Sequence, residues 1–504
     1  MAFEQLSLPF EGHLTPTAPA RIPRTRRVFV NRNLKMAGID WVGFDMDYTL
    51  AIYNQVEMDK LSIDAVIPKL AKRGYDEDIL RGITWPIDFP IRGLLIDKKA
   101  GNVLKMDRFK VVHKGYHGLR ELTKEELRSL YHQKRVKPNT GRYHFIDTLY
   151  ALSEVALYTG IVEAFEARGI ELDYANLFTD IRECIDEAHR DGSILDVVLS
   201  DLPRFIERDT LLAPTLHKLR SAGKRLFLLT NSRWPYTERM MTYLLGDAMP
   251  EYPSFRHYFD LIIVAAQKPA FFQERRPLLE RDGENLRPAT YPLERGVIYE
   301  GGNLHDLEAA LGIGGDRILY VGDHIYGDIL RSKKESAWRT AMIIQEMEAE
   351  VIAHEMCREE HQKSAELEQR RDELEDQLRY YQQRYKDLTR KIEDAAQAAK
   401  NGHGSPNGSG ISYEAERGRA KRAVERIRGM LRAVDAEATK LEREIDQRFH
   451  PYWGSLLKES IEPSSFGDQV EEFACIYTSR VSNMLAYSPL QYWRSPRDLM
   501  PHEL

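Results

Sequence analysis

Asp45 and Asp47, two positions apart in the run Asp45-Met46-Asp47-Tyr48-Thr49, form a carboxylate pair suited to phosphate chemistry. If the chain turns there just past a strand, both can reach one phosphate. Asp45 then attacks phosphorus as a covalent nucleophile. Asp47 protonates the leaving oxygen and later activates water. An isolated run of this kind also reads as an acidic turn with a cap. The apolar residues before it, Trp41-Val42-Gly43-Phe44, favour the catalytic reading.

Three further groups extend the set. Thr230, Asn231 and Ser232 close a second apolar run, where a hydroxyl and backbone N–H groups can hold phosphate oxygens. Taken alone, that triplet reads as a helix N-cap. Lys268 follows Asp260-Leu-Ile-Ile-Val-Ala-Ala-Gln267 and can neutralise a phosphate and the nucleophile. The plainer alternative is an exposed lysine. Last comes Gly322-Asp323-His324-Ile325-Tyr326-Gly327-Asp328. Asp323, aimed at Asp45, would complete an oxygen-rich site for Mg²⁺, with Asp328 supporting it from behind. Each group has a bland alternative, but their joint occurrence in order on four strand ends makes chance a poor explanation.

The strands that must position them are four short apolar runs: 41–45, 225–231, 260–266 and 317–323. Continuous apolarity over that length is the pattern of a strand buried on both faces. Polar segments with helical spacing separate them, so the expected class is α/β, a Rossmann-like, doubly wound parallel sheet. Ligands in such sheets bind beyond the carboxyl ends of the strands, where these groups fall. About 180 residues separate the first run from the second, far more than a crossover needs. The excess predicts an inserted cap domain over 55–215, with a β-like stretch at 93–107 followed by helices. Catalytic core is expected over 27–54 and 216–345, after an N-terminal arm over 1–26 whose Arg21, Arg24, Arg26 and Arg27 read as solvated.

Residues 346–450 differ. Leu367, Leu374, Leu378, Tyr381, Tyr385, Leu388, Ile392 and Ala395 follow heptad spacing. It resumes after the Gly/Ser loop 401–410 with Ala420, Val424, Ile427, Leu431, Val434, Ala438, Leu441 and Ile445. This predicts an antiparallel coiled-coil hairpin with arms of about 45 Å. It is either a contact arm for a partner or an insertion packing on itself. The aromatic-rich segment 451–504 is expected to dock on the core.

Composition narrows the class. The chain has 504 residues, 42% hydrophobic and 30% charged, with 72 basic against 78 acidic side chains and a net charge of −6. That balance gives no sign of a nucleic-acid binder. The beginning of the chain lacks a signal-peptide pattern, and no run of about 18 apolar residues suggests a membrane span. Cys184, Cys357 and Cys475 are far apart and form no CxxC pair, which fits a reducing cytoplasm better than a disulfide framework.

The order DxDxT, Thr, Lys, GDxxxxD resembles that of the haloacid dehalogenase superfamily. The longer strings RVFVNRNLKMAGIDWVGFDMDYTLAIY, RLFLLTNSRWPYTERMMTYLL, KPAFF and ILYVGDHIYGDILRSKKESAWRT resemble the cytosolic purine 5′-nucleotidases within it. The resemblance runs from about 27 to 345 and resumes at about 451, ending in LMPHE; the helical hairpin is outside it. It implies an aspartyl-phosphate intermediate on Asp45, with Asp47 as acid and base. It implies Mg²⁺ on Asp45, the carbonyl of Asp47, and Asp323. Thr230, Asn231, Ser232 and Lys268 would hold the phosphate. A symmetric homo-oligomer, dimer or tetramer, is also implied.

For substrate, the segment 180–194 resembles the family's base-reading stretch. Arg182, Asp186 and His189 share one helix face by spacing, and spacing alone reads as a salt-bridge face. The resemblance assigns them to the base, with Tyr150 as the stacking aromatic, and points to purine monophosphates, IMP or GMP. There are departures. Leu195 replaces a family lysine, Asp147 an asparagine of the effector site, Tyr326 a phenylalanine and Phe473 a tyrosine, while Lys334 and Gln469 match. Two other readings remain open: a phosphatase of another small phosphate ester, and a scaffold acting through the hairpin.

Overall fold

The computed structural model describes residues 22–132, 136–138, 140–330, 336–400 and 409–496. At its centre is a ten-stranded sheet. In chain order its strands are β1 (Phe29–Val30), β2 (Trp41–Phe44), β3 (Arg225–Leu229), β4 (Leu261–Val264), β5 (Leu278–Asp282), β6 (Asn285–Pro288), β7 (Ile298–Gly301), β8 (Ile318–Gly322), β9 (Arg339–Ile343) and β10 (Ile476–Thr478). The order across the sheet is β1-β10-β9-β8-β2-β3-β4-β7-β5-β6. The pairings from β10 to β7 are parallel, and antiparallel strands close both edges.

The four apolar runs of the sequence are the neighbours β8, β2, β3 and β4. Every residue of β2, β4 and β8 is buried, as expected of strands covered on both faces. Phe44 is paired with Leu228 on one side and Val321 on the other. That register brings the carboxyl ends of the strands to one rim, so Asp45, Thr230 and Asp323 emerge together. Gly43 is required by packing: a Cβ there would lie 2.1 Å from the Phe227 ring. The β5–β6 hairpin and the strand β10, contributed from beyond the long helices, add to the four runs read from sequence.

The chain leaves the core at Ile52–Tyr53 and returns at Ile206–Glu207, and these two segments pair antiparallel. Between them lie a five-stranded antiparallel sheet (Leu94–Asp97, Asn102–Met106, Val112–His117, Arg120–Glu121, Tyr143–Phe145) and three long helices: α1 (Gln55–Lys72), α2 (Leu152–Glu166) and α3 (Tyr174–Arg190). The 93–107 stretch is two strands of this sheet, turning between Asp97 and Asn102. Helix α2 is buried almost all round, in keeping with its nearly continuous apolar sequence. After β3 comes α4 (Trp234–Leu245), and after β9 comes α5 (Met347–Met356).

Two long helices follow, α6 (Arg358–Lys400) and α7 (Ser409–Phe449). They run antiparallel, as the ion pairs Lys363–Glu437 (2.8 Å) and Arg384–Glu416 (2.8 Å) establish. Leu374, Leu388, Ala420, Val424, Ile427 and Leu441, all on the heptad stripe, form its buried seam. The helices outrun the stripe: 43 residues make α6 about 64 Å long. Beyond them, Lys105 of the five-stranded sheet donates to the carbonyls of Trp453 (2.8 Å), Ser455 (2.7 Å) and Lys458 (2.7 Å) and pairs with Glu459 at 2.7 Å. The returning chain is thereby fixed to that sheet. Among the described residues no helix is long and apolar enough to cross a membrane.

Candidate active site

Asp45 follows β2 directly, and its N–H donates to the Val321 carbonyl at 2.9 Å. The amides of Thr49, Leu50 and Ala51 then converge on the Met46 carbonyl at 3.3, 2.9 and 2.9 Å, turning the chain sharply. Tyr48 takes φ +55° in this turn, a left-handed conformation that costs a bulky residue of order 1 kcal/mol or more. Its ring is held against Tyr53 (centroids 4.6 Å apart) and edge-on to Tyr150 (4.8 Å). Strain of this kind, locked by packing, brings both carboxylates of the run to the same rim.

Lys268 is buried, and its Nζ lies 2.8 Å from Asp45 Oδ1, 2.7 Å from Asp328 Oδ1 and 2.9 Å from the Tyr320 hydroxyl. Burial alone would lower the lysine's pKa. The charges of Asp328 and Asp45 more than offset that and hold it well above the ordinary value. Burial pushes the Asp45 carboxyl up, with Lys268 opposing. Asp323, also buried, is pushed up to about 7, chiefly by burial and then by Asp328. One oxygen each from Asp45, Asp323 and Asp328 lie within 4.8 Å of one another. Asp328, which also pairs with Lys268, thus belongs to the same carboxylate cluster as Asp45 and Asp323. Gly322 makes this possible, since a Cβ there would come within 2.6 Å of the Asp328 carboxylate.

Asp47 has different partners. Its Oδ2 accepts from Ser232 Oγ at 2.6 Å and its Oδ1 from the Tyr53 hydroxyl, which lies 2.8 Å from the Tyr236 hydroxyl. Burial raises its pKa despite these two donors. Thr230 is fully buried and caps the next turn, accepting from Ser232 N at 3.1 Å. The Asn231 side chain is committed to Lys268: it donates to the Lys268 carbonyl (2.9 Å) and accepts from the Lys268 amide (2.6 Å). What Asn231 leaves for a phosphate is its backbone N–H.

The residues expected to read a base are less tightly gathered. Tyr150 stands 5.9 Å, ring to ring, from His189 of α3. Arg182 and Asp186, further along α3, are exposed, and Arg182 Nε lies 3.6 Å from Glu154 Oε2. Asp147 pairs with His324 at 3.0 Å. Burial pulls the His324 pKa down, but the Asp147 carboxylate dominates and lifts it to about 9. Gln469 and Phe473 lie on the helix Ser465–Phe473. Lys334 and the Tyr326 side chain lie outside the described residues.

Sequence reasoning missed Arg92. This guanidinium is 1% exposed, donates to the Asp323 carbonyl at 3.0 Å and clasps Glu346 through two bonds of 2.8 and 2.6 Å. It also lies over the Phe466 ring at 4.9 Å. Tyr53, Tyr236 and Tyr320 were missed as well. A lone arginine just ahead of the apolar strand Leu94–Asp97 was the available signal.

The model of the 5′ nucleotidase family matches residues 28–504. A 5′-nucleotidase domain-containing protein of Dictyostelium discoideum is 28% identical over 94% of this chain and 74% of its own length. The human 5′-nucleotidase domain-containing protein 2 is 31% identical over 67% of this chain. This chain spans 66% of that human protein and 62% of its rat counterpart. Among solved structures, a HAD phosphatase of Thermococcus onnurineus aligns over 61% of this chain and 87% of its own at 15% identity, with a TM-score of 0.23. A likeness of that size carries no argument. The family match covers nearly the whole chain, fold and candidate site included, and the chain belongs to the 5′-nucleotidase family.

Proposed function

We propose that the chain is a Mg²⁺-dependent 5′-nucleotidase that hydrolyses purine nucleoside 5′-monophosphates through an aspartyl-phosphate on Asp45. The observation that carries this is Lys268 Nζ lying 2.8 Å from Asp45 while Asp47, beside it, is held by Ser232 and Tyr53. Asp45 Oδ attacks phosphorus and the bond to the ester oxygen breaks. Asp47, its pKa raised by burial, gives its proton to that departing oxygen. Asp47 then takes a proton from water, which attacks the acyl phosphate, releasing phosphate and restoring Asp45. Lys268 and the amides after Thr230 offset the negative charge of the phosphoryl group.

The three buried carboxylates of Asp45, Asp323 and Asp328 suit a hard divalent cation, with the Asp47 carbonyl as a further oxygen. A magnesium ion held there would supply the positive charge that keeps Asp45 ionised and draws in the phosphate. Residues 55–215 act as the cap that closes over the base. Tyr150 and His189 supply the aromatic walls, and Arg182 and Asp186 the polar contacts.

The test is a phosphate-release screen over nucleoside monophosphates and sugar phosphates, with and without magnesium. The expected result is magnesium-dependent release, fastest with IMP or GMP. A flat profile across nucleotides and sugar phosphates contradicts the proposal.

A further inference from the structure

Glu154 is a buried carboxylate that the chemistry above does not use. It sits in the first turn of α2, 8% exposed, and its Oε2 is buried without a hydrogen-bond partner. A buried acceptor left unmade is costly, so its persistence points to a donor supplied from elsewhere. The nearest cation is Arg182 of α3, with Nε 3.6 Å away, beyond good hydrogen-bond reach and half exposed. Asp186 on the same helix and Asp147 ahead of α2 are the other charges that face it. Together they leave it ionised only above about 7, burial being the main cause and Arg182 opposing it.

Its position says what the donor is. Tyr150, in the turn just before α2, meets His189 of α3. Glu154, four residues on, meets Arg182, which lies two turns from His189 on the same face of α3, so the two contacts are neighbours along the α2–α3 seam. The Tyr150 ring meets Tyr48, next to Asp47, and His189. From the nucleophile outward the order is therefore Asp47, Tyr48, Tyr150 with His189, then Glu154 with Arg182. A nucleoside monophosphate with its phosphate on Asp45 and its base against Tyr150 presents the base edge to that last pair. Guanine has a carbonyl oxygen beside a ring N–H and an exocyclic amine. An arginine donor next to a two-oxygen acceptor matches those three groups in order. Hypoxanthine lacks the amine. Adenine turns a lone pair toward the carboxylate.

We propose that Glu154, with Arg182 beside it, reads the guanine edge by accepting from N1–H and the 2-amino group, making GMP the preferred substrate. The inference rests on the nucleotidase reading of the same site and names which purine it serves.

The experiment measures kcat/KM at pH 8 for GMP, IMP, AMP, ribose 5-phosphate and p-nitrophenyl phosphate. It uses the full chain and its Glu154→Gln and Glu154→Ala variants. The wild type is expected to favour GMP over IMP, and both over AMP, by about tenfold or more at each step. Both variants should bring the GMP-to-IMP ratio to about one, chiefly through KM, while p-nitrophenyl phosphate turnover stays within about twofold. The wild-type comparison needs no variant to fold. Wild-type enzyme that favours nucleotides over ribose 5-phosphate yet treats GMP and IMP alike overturns the role of Glu154 alone. So does an unchanged ratio in the variants. Wild-type enzyme with no preference for any nucleotide overturns the nucleotidase reading as well.

Discussion

At one end of the site, along the carboxyl rim of the parallel strands, Asp45, Asp47, Thr230, Lys268, Asp323 and Asp328 are all buried, and the reactive side chains touch one another. Lys268 reaches Asp45 and Asp328, and Ser232 reaches Asp47. At the other end Tyr150, Arg182, Asp186 and His189 ride on or beside α2 and α3, outside the sheet. Arg182 and Asp186 are exposed, and Arg182 stands 3.6 Å from its nearest partner. Strand register fixes the first set to within a hydrogen bond. The facing of two helices fixes the second, and leaves it room to change. Changes at the first end should therefore remove chemistry, and changes at the second should redistribute specificity.

The largest effect within this contrast is expected for Asp47→Asn. Hydrolysis of nucleoside monophosphates should fall by about 10²–10⁴, the usual share of a general acid, and much less with p-nitrophenyl phosphate, whose leaving group needs no proton. Equal losses on both substrates would remove Asp47 from the acid role. Next is Arg92→Lys, which loses the fork holding the Asp323 carbonyl and Glu346. The magnesium concentration giving half-maximal activity should rise about 10–100-fold, as for other residues that orient metal ligands. Mn²⁺ binding followed by electron paramagnetic resonance should weaken in parallel, and unchanged binding would make Arg92 a packing residue only.

At the other end, Arg182→Ala should raise KM for nucleotides by about tenfold and leave p-nitrophenyl phosphate turnover unaltered. A loss on both substrates would erase the proposed division.

The smallest effect concerns Asp59 of α1, a buried carboxyl near Tyr48 that burial lifts to about 7, with a bond from Gln55 opposing. The folded state holds this proton more tightly than the unfolded chain, whose carboxyl titrates near 4. Stability from this group is therefore present below about pH 4 and lost as pH rises to about 7. Asp59→Asn should raise Tm by about 2–4 °C at pH 8 and change it little at pH 4. A shift of equal size at both pH values contradicts that assignment.

The same contrast governs what could be read from sequence. Asp45, Lys268 and Asp323 were legible because a buried parallel strand is a continuous apolar run, and its carboxyl end is where ligands bind. Asp328 was legible as a residue, but its place beside Asp45 depends on the missing Cβ of Gly322, a close approach only the fold reveals. Asn231 was legible at the rim, whereas the commitment of its side chain to the Lys268 backbone was not. Arg92 carried only the faint mark of a lone arginine ahead of an apolar strand, and Tyr53 and Tyr236 reach the site from segments whose own patterns carry no chemical mark. The β5–β6 hairpin did carry one, Asp282-Gly283 between strand-like runs. The heptad stripe located the long helices but not their ends, since the polar turns at 358–366 are helical without contributing to the seam.

The covalent role of Asp45 is tested most directly by intact-protein mass spectrometry of enzyme quenched in acid during turnover of GMP. The wild type should carry one phosphoryl group, mapped to the peptide containing Asp45, and Asp45→Asn should show neither adduct nor hydrolysis. An adduct on another residue, or Asp45→Asn that still turns over, would contradict it.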